Sequence, residues 1–296
     1  MYLVVGGTGM LGSRIVYRLL EQGHPVRAFV RPSSDYRALQ DAGAEIALGD
    51  LRQPETFAPA LSGVERVVAT ATAPLMERHL PEAVEAVDGR GLQDMIDACK
   101  QAGVKQFVFT SAYGFAKDPS VPLPRAKAST EQYLQSSGLT YTILRPEKFV
   151  EVWIAFLVGS QLQNGPAVTI VGDGNTRHSF VSMENVLDLC VGVLGHPAAE
   201  NAILPLCEPD KYTYREVIGL IGSLVGAPIE VKSIQPGDPF PGMPPLIGSL
   251  WQWADSLGDS TLDTSDVART FDLRMIGVEE CLRQIFAQPV EPQAAD

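Results

Sequence analysis

Cysteine is scarce in this sequence, basic residues are outnumbered by acidic ones, and no apolar run is long. The four cysteines, Cys99, Cys190, Cys207 and Cys281, are scattered through 296 residues with no CxxC and no Cys/His cluster. That spacing excludes a zinc framework or disulfide scaffold and predicts reduced thiols in a cytoplasmic protein. No HExxH, calcium-loop or nucleophile-elbow pattern is present, so no metal is expected. Against 35 acidic residues stand 23 basic ones, a net charge of −12. Such a surface repels phosphate backbones and anionic lipid, which argues against nucleic-acid and membrane partners. It leaves room for a small phosphate-bearing ligand held by a few local cations. The densest apolar run, VWIAFLV at 152–158, falls far short of the roughly 20 residues of a membrane helix. No basic stretch followed by an apolar one opens the chain, so secretion is not expected. Apolar residues at 45% and charged ones at 20% are ordinary for a folded chain.

What is present is alternation. Short β-rich runs at 2–6, 25–30, 44–48, 64–70, 104–110 and 139–144 are separated by segments with helical spacing at 11–22, 34–42, 54–61, 81–102 and 124–137. Near-continuous apolar strands between helices predict an α/β fold, a doubly wound parallel sheet covered on both faces. The second half differs. VTIV (168–171) and RHSFV (177–181) flank the turn-rich GDGNT with hairpin character, and a helix is expected from about Ser182. NAILPLC (201–207) reads as a buried strand returning to the sheet, and Thr213 with Glu216 reads as a capping box. Residues 235–249, with five prolines and three glycines, read as a loop over a cleft, and the last ten residues as a frayed tail. The division expected is residues 1–146 as a dinucleotide-binding domain and 147–296, apart from the strand 201–207 that returns to the main sheet, as a smaller mixed α/β substrate-binding region.

The strongest chemical signal is VVGGTGMLG at 4–12. Gly6 permits a tight turn, Gly9 lets the backbone approach a pyrophosphate, and Gly12 allows close helix–strand packing. The helix after it presents free N–H groups and a positive dipole end to phosphates. Gly6, Thr8, Gly9, Met10, Leu11 and Gly12 are therefore candidate cofactor contacts. The end of the second strand separates NAD from NADP, because NAD sites place a carboxylate there for the ribose 2′-hydroxyl. This chain has Arg31, Pro32, Ser33 and Ser34 instead. A guanidinium and hydroxyls suit a 2′-phosphate, so NADP(H) is expected over NAD(H), with Arg31 and Ser33 as ligands. The plain alternative is that Arg31 is a solvated surface cation. Asp35 reads as a helix-start residue.

GGTGMLG, the VRP after the second strand, GDL at 49–51, FVFTSAYG at 107–114, the helix carrying Lys127 and YTILRPEKF at 141–149 occur here in that order. With these motifs the chain resembles the atypical short-chain dehydrogenase/reductases, on the NmrA-like and isoflavone-reductase-like branch. GDGNTRHSFVSMENV and LPLCEPDKYTYREV extend the resemblance over nearly the whole chain. The resemblance implies Asp50 and Leu51 beside the adenine and Thr70, Ala71 and Thr72 along the cofactor. It also implies that Pro146 and Phe149 flank the nicotinamide. From the residues alone, Asp50 reads as a loop or cap residue and Phe149 as a core aromatic.

The departure from the family pattern concerns the proton donor. Typical members carry a tyrosine four residues before the lysine, and here that position is Leu123. Lys127 persists, implied to hold the nicotinamide ribose; an i,i+4 ion pair with Glu131 is the structural alternative. Ser111 is a candidate hydrogen-bond donor to a substrate carbonyl. Tyr113 is a candidate proton donor or an ordinary loop aromatic. His178 beside Arg177 reads as structural, and His24, His79 and His196 as surface residues. Trp251, Trp253 and Phe240 roof an apolar pocket or anchor the loop to the core. Two functions are expected: an NADPH-dependent reductase of a small carbonyl, quinone or enone acceptor, and a non-catalytic NADP(H)-binding sensor or assembly factor. An epimerase or dehydratase ranks below both for want of the tyrosine. The helices at 81–102 and 124–137 are candidate homodimer surfaces by family analogy.

Overall fold

A computed structural model describes residues 1–74, 77, 80–114, 121–165, 167–241, 252–253 and 255–286. The expectations for His79, Trp251, residues 242–249 of the proline-rich loop and the tail from 287 lie outside the described residues. In chain order the strands are β1 (Tyr2–Val5), β2 (Val26–Val30), β3 (Glu45–Leu48), β4 (Arg66–Ala69), β5 (Gln106–Thr110) and β6 (Tyr141–Pro146). They continue with β7 (Lys148–Phe149), β8 (Ala167–Val171), β9 (His178–Val181), β10 (Ala202–Leu206), β11 (Lys211–Tyr212) and β12 (Glu230–Ile234). The chain divides into two compact units, the first made of Met1–Pro146, Val186–Leu206 and Arg269–Leu273.

The first unit is built on a seven-stranded sheet in the order β10-β6-β5-β4-β1-β2-β3, parallel throughout. Every residue of β2 and β5 is buried, as a strand covered by helices on both faces requires. Leu3, Val5, Phe29, Val67, Phe107 and Ile143 join Leu92, Met95 and Ile96 of a covering helix in one apolar cluster. The strand order turns back beside β1, which has β2 on one side and β4 on the other. In open α/β sheets that switch point leaves a crevice at the carboxyl ends of the strands. The strand at 202–206 pairs with β6 from Thr142 to Pro146. Gln106, buried in β5, secures the approach to it: Nε2 donates to the Val193 carbonyl (3.0 Å), and Oε1 accepts from the Gly195 N–H (2.9 Å).

Two helical expectations need correction. The segment expected as one helix over 81–102 is Pro81–Val84, a π-helical stretch Glu85–Gly89 and a helix Arg90–Gln101. A Cβ at Gly91 would lie 2.5 Å from the Ala86 carbonyl oxygen and 2.6 Å from that of Leu51. The irregular turn thus brings helix backbone hard against the loop after β3, which apolar periodicity alone does not report. The helix expected over 34–42 is confined to Arg37–Asp41, with Asp35 Oδ1 accepting the Arg37 N–H (3.2 Å) at its start.

The second unit comprises Glu147–Asn185, Cys207–Ala268 and Arg274–Asp296. The expected hairpin across GDGNT does not form. β8 pairs in parallel with β12, whereas β9 lies between β7 and β11. Long-range partners decide these pairings, and the glycine turn, with Gly172 and Gly174 at positive φ, only redirects the chain. The capping box is present: Thr213 Oγ1 accepts the Glu216 N–H (3.1 Å), and Glu216 Oε2 accepts that of Thr213 (2.8 Å). Val150, Ile154, Phe180, Tyr214, Val217 and Leu282 form this unit's core, with Phe240 of the proline-rich loop buried in it. Among the described residues, no helix is long and apolar enough to cross a membrane.

Candidate functional site

Close approach of backbone to backbone shapes the loop after β1. Gly6 has φ +89° and donates its N–H to the Phe29 carbonyl (3.2 Å), and a Cβ there would lie 2.9 Å from the Ala71 backbone. A Cβ at Gly12 would come within 2.1 Å of the Gly6 carbonyl oxygen and 2.9 Å of Thr70 Oγ1. Gly7, which is not one of the three motif glycines, is equally constrained, since its Cβ would sit 2.8 Å from that of Ala28. Gly9 caps the helix Met10–Glu21 without a side-chain hydrogen bond, and the first turn holds no acidic residue. Met10, 65% exposed, opens that helix, Leu11 packs into the core, and Thr8 is half-buried. The dipole end and its N–H groups are therefore left to an anion, and the glycine cradle fits a dinucleotide pyrophosphate.

Beside this loop, Thr70 donates its N–H (3.0 Å) and Oγ1 (3.3 Å) to the Val5 carbonyl. Ala71 covers Gly6, and Thr72 Oγ1 is buried without a partner among the described residues. Arg31 and Ser33, in the turn after β2, are exposed, and Arg31 makes no side-chain hydrogen bond or ion pair among the described residues. No carboxylate in that turn precedes Asp35. Asp50 Oδ1 accepts the Arg52 N–H (2.9 Å) as a turn cap, and Leu51 is buried in the core.

A second group gathers at the ends of β5 and β6. The Ser111 N–H donates to the Leu144 carbonyl (2.8 Å), while its buried Oγ has no partner among the described residues. Tyr113 is half-buried and donates its N–H to the Pro146 carbonyl (2.9 Å). Lys127, on the helix Pro122–Ser136, is only 6% exposed. Its ammonium donates to the Thr110 carbonyl (3.2 Å), lies 3.4 Å from Asp88 Oδ1 and sits 5.1 Å from the Phe109 ring centre. The Glu131 alternative is corrected: Glu131 is buried and takes Arg145, whose Nε donates to both carboxylate oxygens (3.1 and 3.2 Å). Asp88 carries no signal in the sequence, since one acid in an amphipathic segment reads as surface; it is fully buried on the π-helical stretch. Cys190, 4.0 Å from Thr110 Oγ1, is fully buried, and burial pushes its thiol up to about 12, which disfavours the thiolate.

Phe149 belongs to the second unit, half-buried in β7 and paired with Val181. His178 is there too, 1% exposed, stacked on Tyr214 at 4.4 Å and 3.4 Å from Asp255 Oδ1. Burial holds its pKa below the usual histidine value, as suits a neutral structural residue. Arg177 is committed to Glu216 (2.9 Å) and the Lys211 carbonyl (2.6 Å). His196 Nδ1 caps a turn at Ala198 (3.2 Å).

The profile of a family described as NAD(P)H-binding matches residues 6–197. The photosystem II assembly factor Ycf39 of Trieres chinensis is 32% identical over 78% of this chain and 71% of its own. The NAD(P)H azoreductase of Xenophilus azovorans is 31% identical over 79% of this chain and 77% of its own. Among solved structures, an NADPH-dependent quinone oxidoreductase of Escherichia coli complexed with NADPH superposes with a TM-score of 0.80. It covers 97% of this chain and all of its own at 19% identity, a likeness of fold alone.

Proposed function

The chain belongs to the NAD(P)H-binding family, on the NmrA-like and isoflavone-reductase-like branch of the atypical short-chain dehydrogenases, and from that premise we propose that it is an NADPH-dependent reductase. The observation that carries this reading is the pairing of an acid-free glycine cradle with Arg31, an exposed guanidinium at the end of β2 without a partner among the described residues. The helix N-terminus holds the pyrophosphate, and Arg31 with Ser33 takes the 2′-phosphate. Asp50 and Leu51 flank the adenine. Thr70, Ala71 and Thr72 line the crevice, and Lys127 holds the nicotinamide ribose. Pro146 and Ser111 are close to the reacting end, where the Ser111 hydroxyl donates to an acceptor oxygen and Tyr113 supplies a proton. The bound dihydronicotinamide contributes the hydride. Acceptors that suit a site without the tyrosine before Lys127 are small conjugated carbonyls, quinones and enones. The azoreductase relative supports this reading.

A second reading, an NADP(H)-binding assembly or regulatory factor, draws on the Ycf39 relative and on Leu123, buried where a catalytic tyrosine usually stands. NADPH oxidation across a panel of quinones, enones and aldehydes, with NADH in parallel, separates the two. Saturable turnover is the expected result, and tight NADPH binding without turnover favours the assembly factor. Arg31→Glu is expected to weaken NADPH binding by roughly tenfold or more while sparing NADH, since it trades a cation for an anion beside the 2′-phosphate. Equal use of both cofactors by the unmodified protein would remove the Arg31 assignment.

A further inference from the structure

Asp88 stands out among the buried ionisable groups, because its carboxylate faces two cofactor-site elements at once. Oδ2 accepts the Ala73 N–H at 2.8 Å, at the end of the segment Thr70–Thr72. Oδ1 lies 3.4 Å from Lys127 Nζ and has no hydrogen-bond partner of its own among the described residues. The residue is itself held from behind, where Thr130 Oγ1 donates to the Asp88 carbonyl at 2.7 Å. Thr130 lies on the same helix as Lys127, so that helix grips the π-helical stretch at two points.

An unpaired carboxylate at zero exposure would be costly, and so would an unpaired ammonium at 6% exposure. Each is retained beside the other. The Thr110 carbonyl takes one Lys127 donor, and Asp88 sets the direction of the ammonium against it. A lysine on a long flexible stem is a poor ribose ligand unless its head is fixed, because freezing its rotamers on binding costs affinity. We infer that Asp88 is the positioning residue for Lys127, fixing the ammonium and the Ala73 backbone in one arrangement for the nicotinamide half of the cofactor. This rests on the reading of the site as an NADP(H) site. It adds a residue that does not touch the cofactor.

Asp88→Asn tests it, because the amide oxygen still accepts the Ala73 N–H while the charge facing Lys127 is gone. NADPH affinity is expected to fall roughly tenfold, a coupling typical of residues in direct contact. Affinity for 2′,5′-ADP, which lacks the nicotinamide ribose, stays unchanged. A merely structural lesion would weaken both ligands alike, and that result, or no change in either, overturns the inference. Lys127→Met and the double variant Asp88→Asn/Lys127→Met complete the cycle, with the double variant binding NADPH no worse than Lys127→Met. A further tenfold loss in the double variant also overturns it. If Asp88→Asn alone does not fold, the double variant, which strands no charge, decides by the same comparison with Lys127→Met. Absence of NADPH binding by the unmodified chain would instead sink the reductase and assembly-factor readings together, and this inference with them.

Discussion

At Gly12 a single methyl group would come within 2.1 Å of a backbone carbonyl and 2.9 Å of Thr70 Oγ1. Backbone on one side and a strand end on the other leave nothing flexible to yield. Gly12→Ala is therefore expected to destabilise the protein by about 2–4 kcal/mol, in the range of overpacking with backbone displacement. It should also abolish NADPH binding. Urea midpoints and a cofactor titration check both, with Gly23→Ala as the control. Gly23, unlike Gly12, has positive φ, but nothing lies within 4 Å of its Cβ position, so only the local backbone cost of about 1 kcal/mol applies there. A Gly12→Ala variant as stable as Gly23→Ala would refute the packing argument. Gly12 is legible in the sequence because it answers to a local rule, a close approach tied to one position in a motif. Asp88 is not, because its meaning comes from Lys127 and Ala73, 39 and 15 residues away along the chain. Ser111 and Tyr113 lie between these cases: the motif places them at the end of β5, whereas the work of their side chains depends on the chemistry of the acceptor, which no local motif encodes.

Among the elements, the helix Val278–Phe286 depends on an acid that no sequence pattern marks. Glu208 Oε2 accepts the Val278 N–H at 2.9 Å, while Oε1 is buried with no partner among the described residues. Burial, before any other cause, pushes Glu208 up to about 7 from an ordinary value of 4.5. Below pH 4.5 the group is protonated in both the folded and the unfolded chain and costs nothing. As pH rises toward 7 the unfolded chain releases its proton first, so stability falls across that window and levels off above it. At about 1.4 kcal/mol per pH unit the loss reaches about 3 kcal/mol at most. Glu208→Gln keeps an oxygen for the Val278 N–H and removes the ionisation. It should match the parent near pH 4.5 and exceed it at pH 8, in urea unfolding at the two pH values. Identical pH dependence in the two proteins would refute the assignment. The capping box at Thr213 is readable because it lies within four consecutive residues. The Glu208 cap spans 70 residues, which no local pattern reports, and the same non-locality undoes the hairpin expected across GDGNT.

Across the whole molecule, the alternation of apolar strands and helices announces a covered parallel sheet, and the first six strands match their sequence segments closely. Periodicity carries no information about which strand lies beside which, however, and strand order fixes where the crevice opens. The edge of the sheet is a case in point. Thr142, Ile143 and Leu144 of β6 are fully buried, and their outer neighbour is β10, which arrives after the chain has passed through the second unit. A fragment ending at residue 146 would keep the glycine cradle, Asp88 and Lys127. It would also present β6 as an open edge with an apolar face, the configuration that templates intermolecular strand pairing. It would lack Val193 and Gly195 as well, leaving the buried Gln106 amide short of two of its partners, a loss of about 1–3 kcal/mol for each group stranded. Residues 1–146 expressed alone are therefore expected to elute from a sizing column as aggregate, with a raised response to an apolar dye, whereas the full chain elutes as a discrete species. Gln106→Leu in the fragment would relieve the stranded amide and leave the open edge, so aggregation should persist. A monodisperse, NADPH-binding fragment 1–146 would mean that β10 decorates the sheet rather than completing it.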